Sequence, residues 1–243
     1  MRYYIADCHF FHEKLLKYMD ARGFETMEEM HEYMISQWNS RVRKNDEVVI
    51  LGDFSWGRAE ETQEILKRLN GKLSLIRGNH DRYLDDRRFD EKRFWWIEDY
   101  KEMNDENRKV ILSHYPIVCY NFQYRRDEEG NPIAYMLHGH VHRTQDQEFL
   151  DEYAEMISHK THINIGTGKE EPIPFNLINC FCQYSDYVPL TLDEWIEVDR
   201  KRKAGELTFP EPEIGPFPDA APAAGTDNSD DEEEEYVPVN LVF

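Results

Sequence analysis

Several absences narrow the chain before any motif is considered. Nowhere in its 243 residues is there an apolar run of roughly eighteen residues or more, the length a bilayer-spanning helix needs. The opening Met1-Arg2-Tyr3-Tyr4-Ile5-Ala6-Asp7 turns polar too early for a secretory leader. Cysteine is sparse: Cys8, Cys119, Cys180 and Cys182 make no C-x-x-C pair and no regular framework, which excludes a cysteine-ligated structural zinc and a disulfide scaffold. Free thiols in a reducing compartment follow, so a cytoplasmic protein with no membrane partner is expected. Positive charge is also scarce, with 29 Lys and Arg against 49 Asp and Glu and a net charge of −20. Residues 204–243 hold 11 of those acids and no base, which leaves 29 basic against 38 acidic side chains, or −9, on residues 1–203. A body still acidic and without a Lys/Arg stripe argues against long duplex nucleic acid as a partner.

What is present reads as one domain over residues 1–203, with 40% apolar residues over the chain, and an acidic, proline-rich tail over 204–243. Tyr3-Tyr4-Ile5-Ala6 reads as a strand. Phe24, Met27, Met30, Met34, Ile35 and Trp38 recur at helical spacing behind a Thr26-x-x-Glu29 capping box. Strands are expected at 47–51, 72–76 and 109–112, a helix at 59–69 closed by Asn70-Gly71, and an aromatic, partly helical segment around Phe94-Trp95-Trp96-Ile97. This first half has the order β-α-β-α-β-α-β. The second half reads as a hairpin or excursion over 120–135, strands at 133–137, 161–165 and 187–190, and a terminal helix from Thr191. The tail carries six of the eleven prolines and the run Asp230-Asp231-Glu232-Glu233-Glu234-Glu235, too little apolar surface to offset the cost of ordering. Its end, residues 236–243, is apolar enough to dock on a sheet edge, and a protein partner for the tail is a second reading.

Five short segments carry the chemistry: Asp7-Cys8-His9, Gly52-Asp53, Gly78-Asn79-His80-Asp81, Ser113-His114 and Gly139-His140-Val141-His142. All but the last directly follow an apolar, β-branched run, so their donors sit at strand ends. Carboxylates, imidazoles and one amide repeated there suit two divalent cations held close together. Asp53 is the candidate bridge. Asp7, His9 and His142 form one half-site; Asn79, His114 and His140 form the other, with manganese the leading ion and iron, nickel, zinc or magnesium as alternatives. His80 is the expected catalytic residue outside the ligand set, stabilising or protonating the leaving oxygen, with Asp81 orienting its ring and keeping it protonated.

These segments, in this order, resemble the calcineurin-like metallophosphoesterase superfamily, whose pattern is D-x-H, G-D, G-N-H-[DE], H and G-H-x-H. The likeness is closest to the small bacterial and phage phosphoesterases, whose first motif often continues as Phe-x-His, here Phe10-Phe11-His12. It implies a four-layer α/β/β/α sandwich of two mixed sheets flanked by helices, with two metals at the strand ends. Gly52-Asp53-Phe54-Ser55-Trp56-Gly57 lacks the Asp-Arg-Gly continuation of the protein phosphatases and diadenosine tetraphosphatases, which argues against those substrates. Residues 166–186 are longer than the simple turn expected there.

The expected activity is a phosphohydrolase on a small phosphoester, foremost a phosphodiester, by in-line attack of a metal-bridging hydroxide. Phosphomonoesters such as nucleotides are the near alternative. A metal-binding scaffold that recruits a protein partner is the alternative of another class, and it predicts lost ligands, whereas all are present. Outside the motifs, His12 either touches substrate or caps a helix, and Arg125-Arg126 either anchor a phosphate or form a solvated face. His138 is a strand-end or supporting residue, while His31, His159 and His162 read as structural or exposed. Cys8 points away from its flanking ligands into the core. Trp95, Trp96, Tyr115, Tyr120, Phe122 and Tyr124 read first as packing and second as a base-stacking surface.

Overall fold

Apolar β-branched runs become strands and capped amphipathic runs become helices, in an order that changes character half-way along the chain. The computed structural model describes residues 1–210. The first half gives β1 (Arg2–Ile5), α1 (Met27–Arg41), β2 (Glu47–Leu51), α2 (Ala59–Arg68), β3 (Lys72–Ile76) and β4 (Phe94–Glu98). The second gives β5 (Tyr100–Asp105), β6 (Arg108–Ser113), β7 (Ala134–His138), α3 (Gln145–Ser158), β8 (Thr161–Ile163), β9 (Glu170–Pro172), β10 (Leu177–Asn179) and α4 (Leu192–Lys203). One sheet has the order β1-β2-β3-β4, the other β10-β7-β6-β5, and β8 pairs with β9 in a separate two-stranded ribbon.

The first sheet is wholly parallel, so the expectation of two mixed sheets holds for the second alone, where β5 runs against β6 while β6, β7 and β10 run together. Long connections through α1 and α2 feed parallel strands and cover one face of that sheet. Thr26 caps α1 as expected, its hydroxyl accepting from the Glu29 N–H at 3.1 Å. Met30, Met34, Ile35 and Trp38 of α1 and Ile65 and Leu66 of α2 join Ile5, Val49, Ile50 and Leu75 in one buried cluster.

Alternation along the second sheet divides its side chains between two layers. Val110, Leu112, Leu137 and Ile178 face inward into that same cluster. Ile111, Ala134, Met136 and Leu177 face outward into a smaller one, where Leu150 of α3 packs. The result is the α/β/β/α layering. A capping box at Thr191 starts α4, and the Trp195 indole N–H donates to the Tyr4 carbonyl at 2.8 Å, fastening this helix to β1. Among the described residues no helix is long and apolar enough to cross a membrane.

Several elements differ from expectation. Residues 94–97 are strand rather than part-helix: aromatic and β-branched side chains suit a pleated surface, and β4 pairs with β3 while Lys72 and Lys101 lie 4.5 and 4.6 Å over Trp95 and Trp96. The polar β5 shows no apolar alternation, whereas in the acidic α3 Leu150, Tyr153 and Ile157 recur at helical spacing and give the helix that was not expected there. Residues 187–190 make a single bridge, Tyr4 with Leu190, instead of a strand, since Tyr187 is left-handed and Pro189 has no N–H to give.

Described residues beyond the expected boundary at 203 still touch the domain. Phe209 lies 5.5 Å from the Tyr184 ring and 5.0 Å under the Arg143 guanidinium, whose Nη2 donates to the Pro210 carbonyl at 2.6 Å. The acidic run and the 236–243 segment lie outside the described residues. Truncation after Lys203 is expected to lower Tm by about 2–6 °C relative to truncation after Pro210, the loss of roughly 1–2 kcal/mol of partial aromatic burial. Thermal unfolding of the two truncated chains checks this, and coincident curves would assign residues 204–210 to the tail.

Candidate metal centre

Parallel strands deliver their C-terminal ends to one edge of a sheet. Asp7 follows β1, Asp53 follows β2, Asn79 follows β3, His114 follows β6, and His140 and His142 follow β7, so the donors of both sheets meet at one edge of the sandwich. The chain then turns sharply to aim them. Asp7, His9, Asp53, His140 and His142 have φ of 55°, 47°, 51°, 72° and 45°, a left-handed conformation that costs a non-glycine residue of order 1–3 kcal/mol. Two glycines make the convergence sterically feasible. A Cβ on Gly52, itself at φ 87°, would stand 2.3 Å from the His114 ring, and one on Gly78 would stand 2.2 Å from Asp53 Oδ1.

The donors form two groups that share Asp53. Asp7, His9, Asp53 and His142 present ligand atoms within 4.8 Å of one another, as do Asp53, His114 and His140, and either group could hold a metal ion. In the first, His9 Nε2 lies 3.0 Å from His142 Nε2 and 3.4 Å from Asp53 Oδ2. In the second, Asn79 Oδ1 lies 3.0 Å from His114 Nε2 and 3.1 Å from His140 Nδ1, and His114 Nε2 lies 3.4 Å from that same Asp53 Oδ2. Each sequence-derived ligand is therefore brought to the cluster.

Hydrogen bonds on the far side of two rings hold them in place. His114 Nδ1 faces the Leu51 carbonyl at 2.9 Å, and His142 Nδ1 faces Asp20 Oδ1 at 2.8 Å. Both partners only accept, so each Nδ1 carries a proton and each ring presents Nε2 to the centre. There Nε2 meets acceptors: Asn79 Oδ1 and Asp53 Oδ2 for His114, His9 Nε2 and Asp7 Oδ1 for His142. Asp7 Oδ2 is buried with no hydrogen-bond partner. Burial pushes Asp7 up to about 6 against the pull of His142 and His114, while Asp53 outweighs burial at His114 and pushes it up to about 9. Converging acceptors that recruit a proton where they can are a donor set suited to cations.

His80 stands at the rim, its ring 4.5 Å from Trp56 and 5.6 Å from His9, with its backbone N–H donating to Asp53 Oδ1 at 2.9 Å. The expected Asp81 support for this ring is not what forms. Asp81 is buried and accepts from the N–H groups of Gly78, Phe54 and Asp53 at 2.8, 2.8 and 3.0 Å. It clamps two motif loops together, because an inward carboxylate beside a tight turn finds unpaired backbone donors closer than the neighbouring side chain. Burial lowers the His80 pKa, opposite to the expected protonation.

His12 stacks flat on Trp56, 4.4 Å and 9°, at the same rim. Arg126 donates to the Gly130 and Pro172 carbonyls and Arg125 packs over Phe122, so both serve the 120–135 excursion, and none of those partners belongs to the cluster. His138 bonds the Gly139 carbonyl and His31 accepts from the Phe11 N–H, both supporting turns. Trp56, Asp20 and Arg22 are residues beside the cluster that sequence reasoning missed. Asp20 lies 122 positions from its histidine, beyond any local signal.

Residues 4–172, which include every donor of the cluster, match the model of the calcineurin-like phosphoesterase superfamily domain. The chain belongs to that superfamily. An uncharacterized protein of Methanocaldococcus jannaschii is 32% identical over 180 residues, covering 72% of this chain and 88% of that protein. The Gene 66 protein of Mycobacterium phage D29 is 31% identical over 163 residues, 58% of this chain and 77% of that one. A crystal structure of a protein of unknown function from Aquifex aeolicus superposes with a TM-score of 0.54 at 23% identity, over 82% of this chain and 98% of that one, a likeness of fold.

The clamp generates a prediction for this calcineurin-like phosphoesterase. Asp81→Asn turns an amide donor toward backbone donors and leaves at least one N–H unpaired, at about 1–3 kcal/mol for each. A Tm lower by roughly 5–10 °C is expected, with weakened metal binding, because Asp53 loses its anchored backbone. Differential scanning calorimetry of the metal-free and metal-loaded variant checks it; an unshifted Tm would place Asp81 outside the support of the loops.

Proposed function

We propose that this calcineurin-like phosphoesterase is a two-metal phosphodiesterase acting on small phosphodiesters in the cytoplasm. The observation that carries the reading is Asp53 Oδ2, which stands 3.4 Å from His9 Nε2 of one donor group and 3.4 Å from His114 Nε2 of the other. Asp7, His9 and His142 would hold one ion, Asn79, His114 and His140 the second, and Asp53 both. Mixed carboxylate, imidazole and amide donors favour manganese, with iron, nickel, zinc or magnesium also compatible. When bound, such a pair supplies an activated water and neutralises charge on the attacking and departing oxygens.

The chain's own residues orient the ester. His80 Nδ1 is buried without a partner, which leaves Nε2 as the nitrogen to meet the leaving oxygen. Trp56 beside His80 and His12, 48% exposed, and Tyr115 beside His114 and His140, 50% exposed, flank the two donor groups. One aromatic wall on each side fits an ester with two organic substituents. Arg22, the buried guanidinium beside the cluster, bonds Asp20 and the Asp7 and Cys8 carbonyls, so it offers nothing to the second negative charge of a monoester. Four free cysteines agree with a reducing compartment, and an acidic body with a small rather than a long nucleic-acid substrate.

Metal-stripped protein reconstituted with each ion and assayed on bis-p-nitrophenyl phosphate and p-nitrophenyl phosphate tests the reading. The diester should be turned over faster under the best ion. A reversed ratio makes the protein a monoesterase, and bound metal without turnover of either substrate makes it a scaffold. Asp53→Asn should abolish activity and reduce bound metal; undiminished occupancy with normal turnover would sink the two-metal reading. His80→Ala should lower turnover by about 10²–10⁴-fold, the range for a lost general acid or base, with metal content near that of the unmodified protein. Loss of metal in that variant would make His80 a ligand.

A further inference from the structure

We propose that Asp20 and Arg22 are a positioning pair for one half of the centre only, the half formed by Asp7, His9 and His142. The inference rests on the two-metal reading and adds an asymmetry to it.

Both side chains are buried, with 1% and 0% of their surface exposed. One carboxylate oxygen of Asp20 accepts from Arg22 Nε at 3.0 Å and Nη2 at 2.9 Å, while the other lies 2.8 Å from His142 Nδ1. Arg22 also donates through Nη1 to the Cys8 carbonyl at 2.6 Å and through Nη2 to the Asp7 carbonyl at 2.9 Å. These two carbonyls belong to the stretch in which Asp7 and His9 are held left-handed. The Asp20 carbonyl is fixed in turn by Gln183 Nε2 at 3.1 Å and Arg143 Nη2 at 3.2 Å.

A buried ion pair that served only stability would be a poor use of two desolvated charges, since apolar side chains of similar volume often do as well. This pair does something apolar residues cannot. It fixes which nitrogen of His142 keeps its proton and holds that ring in register with a loop 133 residues away. The other half has a separate support, the Leu51 carbonyl on His114 Nδ1, and neither His114 nor His140 bonds Asp20 or Arg22 among the described residues. Disturbing the pair should therefore loosen one metal and leave the other.

Calorimetric titration of the metal-free full chain with Mn²⁺ is the test. The unmodified protein should bind two ions, and His142→Ala identifies the step that belongs to its half. Asp20→Asn should weaken that step by about 10–100-fold, the usual effect of removing a partner behind a metal-binding imidazole, with the other step unchanged; the retained step doubles as a control for folding. Arg22→Lys, which keeps the buried positive charge but loses the fork, should weaken the same step. ¹⁵N-edited imidazole spectra of the metal-free protein give a readout independent of metal. His142 should be protonated at Nδ1, and should lose that preference in Asp20→Asn. Equal weakening of both steps, or no change in either with an unaltered tautomer, overturns the inference. Fewer than two ions on the unmodified protein instead overturns the two-metal reading beneath it.

Discussion

Acceptors that face acceptors cannot hold one another in place. The Nε2 atoms of His114 and His142, the amide oxygen of Asn79 and the carboxylates of Asp7 and Asp53 all converge within hydrogen-bonding distance or little more, and acceptors so placed repel unless a proton or a cation lies between them. The scaffold must hold them together against that repulsion. Much of what surrounds the centre follows from this requirement: strand ends gathered at one edge, backbones turned left-handed, and buried groups that brace the donors from behind.

Those supports are divided by chemistry. Asp81 takes backbone N–H groups and thereby joins the loops after β2 and β3, whereas Asp20 takes a guanidinium and an imidazole and joins the loops after β1 and β7. A carboxylate next to a motif is thus not automatically a partner of the motif's histidine. Which donor it meets depends on where unpaired backbone groups lie, and tight turns leave them closest.

The convergence of these donors was legible in the sequence because each segment is short, sits beside small or turn-forming residues, and in four of five cases follows a β-branched run. The strands at 47–51 and 72–76 and the Thr26 cap were legible for the same local reasons. Side-chain direction was not: adjacency placed Asp81 against His80, while the backbone geometry points it elsewhere. Nor was anything carried by pairing across the chain. Asp20 is unremarkable in its own neighbourhood, β5 shows no apolar alternation, and Phe209 looks like part of a proline-rich tail until Tyr184 and Arg143 are beside it.

β1 lies at the edge of the first sheet, where its continuation is bridged at Ala6 to Phe181, Tyr4 is bridged to Leu190, and the Tyr4 carbonyl is closed by Trp195. β2 pairs with it across 45 positions of sequence, whereas its other side is closed by residues 175 to 191 positions away. Closing an edge over so long a separation is slow beside local pairing, and Asp7 is attached to the edge that closes in this way. The placement of that donor therefore depends on long-range closure of the sandwich and not on local structure.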